Sequence, residues 1–183
     1  MWRCAMAPER KIATEGYTLL DSKMNKTIEP ESIVILTYED PHAADFNRLN
    51  RTWLEEHALL EDGDRKQLEQ PRESILAKGG EIFIAVMGEE VVGSCAVIPH
   101  DVGVVELAKL AVDARVQGHG LGRRLTETAL AWARGRGAQK VILLSSTKLQ
   151  AALRLYERMG FQYGSLPTDP GYQTADIYME LLL

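Results

Sequence analysis

The chain has 183 residues, of which 45% are hydrophobic and 26% charged, and its formal net charge is -5. This length and composition are typical of a single globular domain that buries a hydrophobic core of its own. The negative charge argues against a nucleic-acid-binding protein that relies on a broad basic surface. We therefore expect no nucleic-acid partner.

The two cysteines, Cys4 and Cys95, lie far apart in the sequence and match no metal-ligand spacing. We expect neither a disulfide framework nor a metal site, and a reducing cytoplasm is the favoured compartment. No apolar run approaches the ~20 residues that a membrane helix needs. The first residues also lack the continuous apolar core of a secretory signal, so we expect a cytoplasmic protein without membrane contact.

The sequence divides into an extension and one domain. Residues 1–30 mix charged and small residues without a clear period, which predicts an N-terminal extension that is partly disordered or loosely docked. Residues 31–183 are expected to form a single domain. Its predicted element order, β-α-α-β-β-β-α-β-α-β-β, indicates a mixed α/β fold.

The first predicted elements are a strand and two helical segments. Residues 32–38 are rich in β-branched side chains, which favours a strand. Residues 40–57 have apolar side chains at helical spacing, with Asp40 as the candidate N-cap. Residues 61–71 predict a short helix or a loop that ends at Pro71.

The rest of the chain alternates strands and amphipathic helices. Further strands are predicted at 81–87, 91–99, 102–112, 140–146 and 174–183, the first two joined as an antiparallel hairpin. Helices are predicted over 121–136 and 147–161 from apolar residues at helical spacing.

A glycine-rich segment, "QGHGLG" (117–122), lies between a predicted strand and a predicted helix. It lacks the Gly-Lys-Ser/Thr end of a P-loop, and Arg123 stands where a dinucleotide fingerprint needs its third glycine. A tight turn without a ligand remains an alternative, although each glycine costs ~0.5–1 kcal/mol of conformational entropy relative to alanine. Amides at a helix N-terminus would suit an anion such as a pyrophosphate, beside the charges of Arg123 and Arg124.

This motif resembles the Gln/Arg-x-x-Gly-x-Gly/Ala signature of the GCN5-related N-acetyltransferase (GNAT) superfamily. "LAV" (110–112) precedes it as in the family's fourth strand, and "LYERMGF" (155–161) is similar to the family's Leu-Tyr-x-x-x-Gly-Phe segment. The "FNRLNRTWLEEH" and "LAKGGEIFIA" stretches also resemble bacterial GNAT domains that stand alone or are fused to MarR-type regulators. The resemblance implies the GNAT fold, a mixed sheet of about six to seven strands with about four helices, splayed between the fourth and fifth strands.

The resemblance also implies acetyl-CoA as the cofactor, and transfer of its acetyl group to the primary amine of an unidentified small molecule or peptide. Main-chain groups of three strand residues would pair with the pantetheine arm: Leu110, Ala111 and Val112. The loop that would hold the pyrophosphate consists of Gln117, Gly118, His119, Gly120, Leu121, Gly122 and Arg123.

Acetyl transfer to an amine needs a base, because an amine of pKa ~10.4 is neutral in only about one molecule in 10³–10⁴ at pH 7. Glu106 is the candidate, since a carboxylate is out of place on an apolar strand face and burial would raise its pKa. The period of a strand predicts that its face is shared with Val104, Ala108 and Leu110. A solvated, inert glutamate, or a water relay as in many family members, remains an alternative.

Tyr156 is the candidate general acid. It matches the family's tyrosine, whose hydroxyl lies near the cofactor sulfur, and the alternative is a tyrosine that only packs in the core. A non-catalytic acyl-CoA-binding or regulatory module is the alternative function for the whole chain. Dimers are common among relatives, so a homodimer is also an open expectation.

Two positions depart from the family pattern. Leu149 replaces an asparagine that contacts the pantetheine in many relatives, and Leu144 replaces the glutamate base of ribosomal-protein acetyltransferases. The acceptor would approach over the splay, between the first helix and residues 163–174.

Acidic residues near that path are Glu55, Glu56, Glu61, Asp62 and Asp169. Surface or structural roles are expected for the remaining polar candidates: His57, Glu56, His100, Tyr172 and Asp176.

Overall fold

A computed structural model describes residues 33–168 and 170–183. The predicted N-terminal extension at residues 1–30 lies outside the described residues, as do Cys4 and Asp169.

Within the described ranges the chain forms seven strands and five helices, in an order that confirms the mixed α/β prediction. The strands are β1 (Ile33–Thr37), β2 (Glu81–Met87), β3 (Glu90–Asp101), β4 (Val104–Val112), β5 (Lys140–Ser145), β6 (Gln162–Tyr163) and β7 (Ile177–Leu182). The helices are α1 (Ala43–Glu56), α2 (Asp62–Glu69), α3 (Pro71–Ser74), α4 (Leu121–Gly135) and α5 (Gln150–Arg158).

The strands form one sheet in the order β1-β2-β3-β4-β5-β7-β6. The β4–β5 pair is parallel and the other pairs are antiparallel. Parallel pairing of β4 with β5 requires a crossover, and α4 provides it. This sheet has the strand number and mixed pairing expected of the GNAT fold.

The sheet separates two hydrophobic clusters, as the alternation of side chains along a strand requires. Phe83 and Ala85 of β2 belong to the cluster that also contains Leu125 of α4 and Leu153 of α5. Their neighbours Ile82 and Ile84 belong to the second cluster, together with Phe46 of α1 and Leu68 of α2. The core therefore has three layers, with α4 and α5 on one face and α1 to α3 on the other.

Helix starts differ from the prediction in three places. Glu39, not Asp40, is the N-cap of the first helical segment, which begins with a 3-10 turn at Asp40–His42, and the Glu39 amide donates to His42 Nδ1 at 3.0 Å. The predicted 61–71 segment forms α2, and the single-turn α3 starts at Pro71, after it. Helix α5 begins only at Gln150, because the amide and hydroxyl of Thr147 donate to Asp176 instead.

A β-bulge interrupts β4 at Lys109. Ala108 pairs with Ala96 and Ala111 with Ser94, so β4 carries one more residue than β3 over this step. Lys109 takes up the extra residue with a φ of 52°. The bulge reverses which residues face each side of the sheet.

The predicted common face of Glu106, Val104, Ala108 and Leu110 is therefore wrong at Leu110. Leu110 packs on the α4–α5 side, while Ala108 packs on the α1–α3 side. A period of two holds only where no residue is inserted, and the bulge inserts one.

The sheet splays between β4 and β5, as expected. The two strands pair only from Val104 to Glu106, opposite Lys140 to Ile142. Beyond Glu106, β4 runs on to Val112 without a β5 partner in the described part of the chain. The edge of β4 thus opens into a cleft at the centre of the domain.

Candidate active site

A cavity of about 110 Å³ lies at this splay. Residues Glu106 to Leu110 of β4 form one wall, and Leu144 and Ser145 of β5 lie opposite. The rest of the lining comes from α1, α2 and α5, from the connections before α2 and α5, and from the segment before β7. These residues are Asn50, Trp53, Leu54, Leu59, Asp64, Ser146, Leu149, Ala152, Tyr156, Tyr172, Thr174 and Ala175. The cavity lies where the acceptor was expected to approach.

Glu106 lines this cavity at the last residue that pairs β4 with β5. Burial raises the pKa of its carboxyl above the ordinary value, and Asp64 acts in the same direction, while Lys109 and His100 act against it. A carboxylate of raised pKa is a stronger base than an exposed one and remains ionised above that pKa. Glu106 therefore has the position and the environment of a general base.

Tyr156 lies on the opposite wall, on α5, and is 7% exposed. Its ring packs against Phe161 at 5.7 Å between centroids. Burial raises the pKa of its phenol, with a smaller contribution from Cys95. The phenol is protonated at neutral pH, as a general acid must be, and the raised pKa makes it a weaker acid than an exposed tyrosine.

The cavity also contains a buried ion pair that the sequence did not indicate. Lys109 Nζ donates to Asp64 Oδ1 at 2.6 Å, and the two side chains are 7% and 6% exposed. The ammonium also lies 5.4 Å from the centroid of the Tyr172 ring. We call Asp64, Glu106, Lys109 and Tyr172 the acceptor-side cluster.

A signal for Lys109 was present, since a lysine within the apolar run "VVELAKLAV" is unusual for a strand. Asp64 had no such signal, because it stands among the charged residues of "EDGDRKQLE", a composition typical of an exposed helix. Tyr172 was expected at the surface or in a structural role, and the structure places it in the cavity wall.

The glycine loop, residues 117–123, follows β4 in the sequence and ends in the first turn of α4. Gly118 and Gly120 have φ of 80° and 79°, which explains glycine at both positions. A Cβ at Gly122 would lie 3.4 Å from Leu155 Cδ2, which is an ordinary contact, so packing does not require glycine there. Backbone conformation alone thus explains Gly118 and Gly120, but not Gly122.

The surface in front of the loop is open, since a Cβ at Gly118 or Gly120 would meet no atom within 4 Å. Gly120 is the N-cap of α4, so the amides of Leu121, Gly122 and Arg123 lie in the first turn, where no intrahelical acceptor exists. Such a helix start favours an anion. These residues therefore fit the pyrophosphate of acetyl-CoA.

The side chains of the loop mostly stabilise the loop itself. Gln117 Nε2 donates to the carbonyl of Val112 at 3.0 Å, and His119 Nδ1 lies 2.9 Å from the carbonyl of Gln117. Arg123 pairs with Glu127 on the next helical turn at 2.8 Å, and Arg124 Nη2 donates to the carbonyl of Ile33. The loop therefore offers main-chain amides more directly than side chains.

The three strand residues expected to contact the pantetheine lie between the cavity and the loop. Leu110 lines the cavity, and Ala111 and Val112 pair with Ser94 and Gly93 of β3 through one strand edge. The other edge faces the splay, where an extended ligand can add as a strand. This open edge is the second feature that fits acetyl-CoA.

The remaining candidates lie around the site with structural roles. His57 Nδ1 contacts the carbonyl of Trp53, and Asp176 accepts two hydrogen bonds from Thr147 at 2.7 Å. Glu56 and His100 are exposed. Leu144 and Leu149, at the positions that depart from the family pattern, form apolar parts of the cavity wall.

Of the acidic residues expected near the acceptor, the four that the structure describes do not line the cavity. Glu55 pairs with Arg51, Asp62 is exposed, and Glu56 lies at the end of α1. Glu61 accepts hydrogen bonds from Gln173 and Thr174 instead. The carboxylates in the cavity are Asp64 and Glu106, because the three-dimensional structure, not the local charge density, decides which acids face the cleft.

The profile of the acetyltransferase (GNAT) family matches residues 43–161, which include both walls of the cavity and the glycine loop. The chain belongs to the GNAT family. An acetyltransferase of this family from Staphylococcus aureus superposes with a TM-score of 0.76 at 20% identity, covering 82% of this chain and 99% of that one. An acetyltransferase from Salmonella typhimurium, solved with its cofactor acetyl-CoA, gives 0.65 at 18% identity, covering 83% and 94%.

The curated relatives have longer chains. Rat N-acetyltransferase 8F1 is 35% identical over 94 residues, which is 49% of this chain and 42% of the relative. Mycothiol acetyltransferase from Thermomonospora curvata is 28% identical over 163 residues, 85% of this chain and 53% of the relative. The chain thus spans about half the length of these relatives. None of the helices formed by the described residues has the length and apolar character that a bilayer crossing requires.

Proposed function

We propose that this protein is an acetyl-CoA-dependent N-acetyltransferase that acetylates a primary amine by direct attack, with Glu106 as general base and Tyr156 as general acid. The observation that carries the proposal is that these two side chains line one cavity at the β4–β5 splay. Relatives named N-acetyltransferase support nitrogen as the accepting atom.

The chain's own groups account for the proton transfers. Acetyl-CoA supplies a thioester carbonyl, and its acetyl group would leave sulfur and form a bond with nitrogen. Glu106 accepts the proton that the amine must lose, and Tyr156 donates a proton to the departing thiolate. Amides along the open edge of β4 are the groups that would polarise the carbonyl.

The cofactor would be held by two parts of the chain already described. The glycine loop would receive the pyrophosphate, and Leu110 to Val112 would align the pantetheine arm. Because the loop and the strand would both bind the cofactor through main-chain groups, cofactor binding depends little on the identity of their side chains.

The cavity favours a particular acceptor chemistry. Glu106 and Asp64 contribute two negative charges, and Lys109 is the only cation among the described residues that line it. The resulting net negative charge attracts a protonated amine. Apolar side chains such as Trp53, Leu144 and Leu149 suit an amine carried on an apolar body.

The test is a screen for thiol release from acetyl-CoA with amines, amino acids, polyamines and peptide N-termini. We expect release with at least one amine, and better rates for amines with apolar bodies than for free amino acids. Glu106→Gln should lower kcat by about 10²-fold or more, the usual contribution of a general base, without changing acetyl-CoA affinity.

Glu55→Gln is the matched control, because Glu55 is outside the cavity and pairs with Arg51. It should behave like the wild type. Binding of acetyl-CoA without thiol release from any amine would instead indicate a non-catalytic module. Full activity of Glu106→Gln would remove Glu106 from the mechanism.

A further inference from the structure

Separate parts of the fold fix the positions of Lys109 and Asp64. Asp64 Oδ1 accepts from Lys109 Nζ, while its Oδ2 accepts from the amide of Glu61 at 3.0 Å, which fixes the carboxylate at the start of α2. Lys109 reaches it from the bulge of β4, 45 positions away in sequence. Neither side chain has room to turn to solvent, since both are almost fully buried.

The backbone that positions Lys109 is strained and supported. A φ of 52° is unfavourable for a residue other than glycine, and such conformations persist only where the surroundings hold them. Ser94 Oγ donates to the carbonyl of Lys109 at 3.0 Å, and Asn50 Nδ2 donates to Ser94 Oγ at 2.9 Å. Strain of this kind is concentrated at functional sites.

Stability alone does not explain the pair. A buried ion pair contributes little net stability, because the cost of removing two charges from water offsets their attraction. Acceptor binding through Lys109 is also disfavoured, since its ammonium already interacts with Asp64 and Tyr172. Lys109 and Glu106 are both on β4, three residues apart, and they line the same cavity. The charge of Lys109 is therefore better placed to act on the Glu106 carboxylate than on an acceptor.

Charged and titratable groups from four elements surround Glu106. Lys109 is on the same strand, His100 is on β3, Asp64 is on α2, and Tyr172 precedes β7. Lys109 and His100 favour the ionised carboxylate, and burial and Asp64 oppose it. Burial acts to lower the pKa of Lys109, but Tyr172, Asp64 and Glu106 outweigh it, so the lysine keeps its charge.

We infer that Lys109 is a positioning residue whose buried charge favours the ionised form of Glu106, the form that can act as a base, and that Asp64 holds Lys109 and limits the effect of its charge. The inference rests on the proposed function, because it takes Glu106 as the base. It gives the two partners opposite effects on one carboxylate, which damage to the fold would not produce.

The experiment is a pH titration of the whole protein labelled with ¹³C at the glutamate carboxyls, followed by NMR. The resonance of Glu106 is assigned by its loss in Glu106→Gln. In Lys109→Met we expect its midpoint to move up by about one pH unit, the lower end of what an adjacent charge produces. In Asp64→Asn, which keeps an oxygen for the Glu61 amide, we expect a smaller movement down.

The acid limb of kcat/KM should move in the same two directions. Lys109→Arg, which keeps the positive charge, should return the midpoint toward that of the wild type. Lys140→Met is the matched control. It removes a lysine on β5 that pairs with Glu180 of β7 and does not line the cavity. It should leave the midpoint unchanged.

A midpoint that is unmoved, or that moves in the same direction in both variants, overturns the inference. If Lys109→Met does not fold, Lys109→Gln takes its place, because it removes the charge and keeps a donor for Asp64. A Glu106 midpoint that does not rise in Lys109→Gln then overturns the inference. The two proposals fail differently. Full activity in Glu106→Gln contradicts the proposed base, whereas an inactive Glu106→Gln with unshifted titrations contradicts only the role of Lys109.

Discussion

The glycine loop and the acceptor-side cluster are built in opposite ways. The loop takes consecutive residues and presents main-chain amides, and its side chains bond to nearby carbonyls such as that of Val112. The cluster presents side chains from α2, β4 and the segment before β7. Lys109 joins them, because it pairs with Asp64 across 45 positions and its ammonium lies over the Tyr172 ring.

The difference has a physical reason. Main-chain amides at a helix start depend on backbone conformation, which glycines with positive φ supply wherever they occur. A buried charge is tolerated only when a partner comes with it, and that partner comes from a distant element. We therefore expect variants of the loop to affect cofactor binding, and variants around the cluster to affect the acceptor step and stability.

The largest effect is expected from Gly120→Glu, which tests whether the glycine loop binds the cofactor. The new side chain would be strained at a φ of 79° and would place a carboxylate beside the amides that we assign to the pyrophosphate. Like charges in contact cost several kcal/mol, so acetyl-CoA affinity measured by calorimetry should fall about 10³-fold.

Gly137→Glu is its control. Gly137 also has a φ of 79° with nothing within 4 Å of a Cβ, but it lies past the other end of α4. Both variants should lose similar stability, and only Gly120→Glu should lose cofactor. Normal acetyl-CoA binding by Gly120→Glu would show that the loop is only a turn.

Tyr156→Phe tests the opposite wall. Removing the phenol should lower kcat by about 10²-fold if it supplies the proton, with little change in acetyl-CoA affinity. The measurement is thiol release under saturating cofactor. Tyr163→Phe, which removes an exposed hydroxyl bonded to Glu157 at 2.8 Å, should have no effect. An unchanged kcat in Tyr156→Phe would contradict the role of Tyr156 as general acid. Its contact with Phe161 would then be the role that remains.

The same contrast explains what could be predicted from sequence. Strands, helices and the glycine loop follow local periods and local conformational preferences, and their order matches the structure with small differences at the ends. The splay was expected from the family resemblance. Glu106 and Tyr156 were predicted as site residues from the sequence, and both line the cavity.

Asp64 and Lys109 could not be placed in the same way. A lysine within an apolar strand is unusual, but no local pattern shows that a residue is inserted at Lys109 or which partner its side chain meets. Asp64 looks like any acid in a charged helix until α2 packs against β4 and brings it to the ammonium. Where a site depends on which distant elements meet, local sequence patterns do not reveal it.

Ser94→Ala tests the support beneath the cluster. The hydroxyl is fully buried, and its removal leaves the carbonyl of Lys109 and one hydrogen bond of Asn50 without their partner. Unfolding by urea should show a loss of about 1–3 kcal/mol, the cost of an unsatisfied buried polar group. Thr128→Ala removes a hydroxyl that donates to a carbonyl within α4 and should cost much less. Equal losses would mean that the bulge needs no such support.

The smallest effect on activity is expected from Glu61, which precedes α2 and holds residues 173 and 174 before β7. Glu61 accepts from the amide of Gln173 at 2.9 Å and from the amide and hydroxyl of Thr174 at 2.7 Å each. Burial acts to raise the pKa of Glu61, but these hydrogen bonds outweigh it and lower the pKa. The tie is therefore complete above the ordinary glutamate pKa and is lost as the pH falls through the lowered value.

Glu61→Gln replaces one accepting oxygen by a donor, so at least one of the three bonds is lost at every pH. We expect faster hydrogen exchange at Gln173 and Thr174 and a several-fold higher KM for the acceptor, since one hydrogen bond contributes about 1 kcal/mol. Acetyl-CoA affinity should not change. Asp62→Asn, one residue away and exposed, is the control. A lower acetyl-CoA affinity in Glu61→Gln would show that the two halves of the site are coupled and do not act separately.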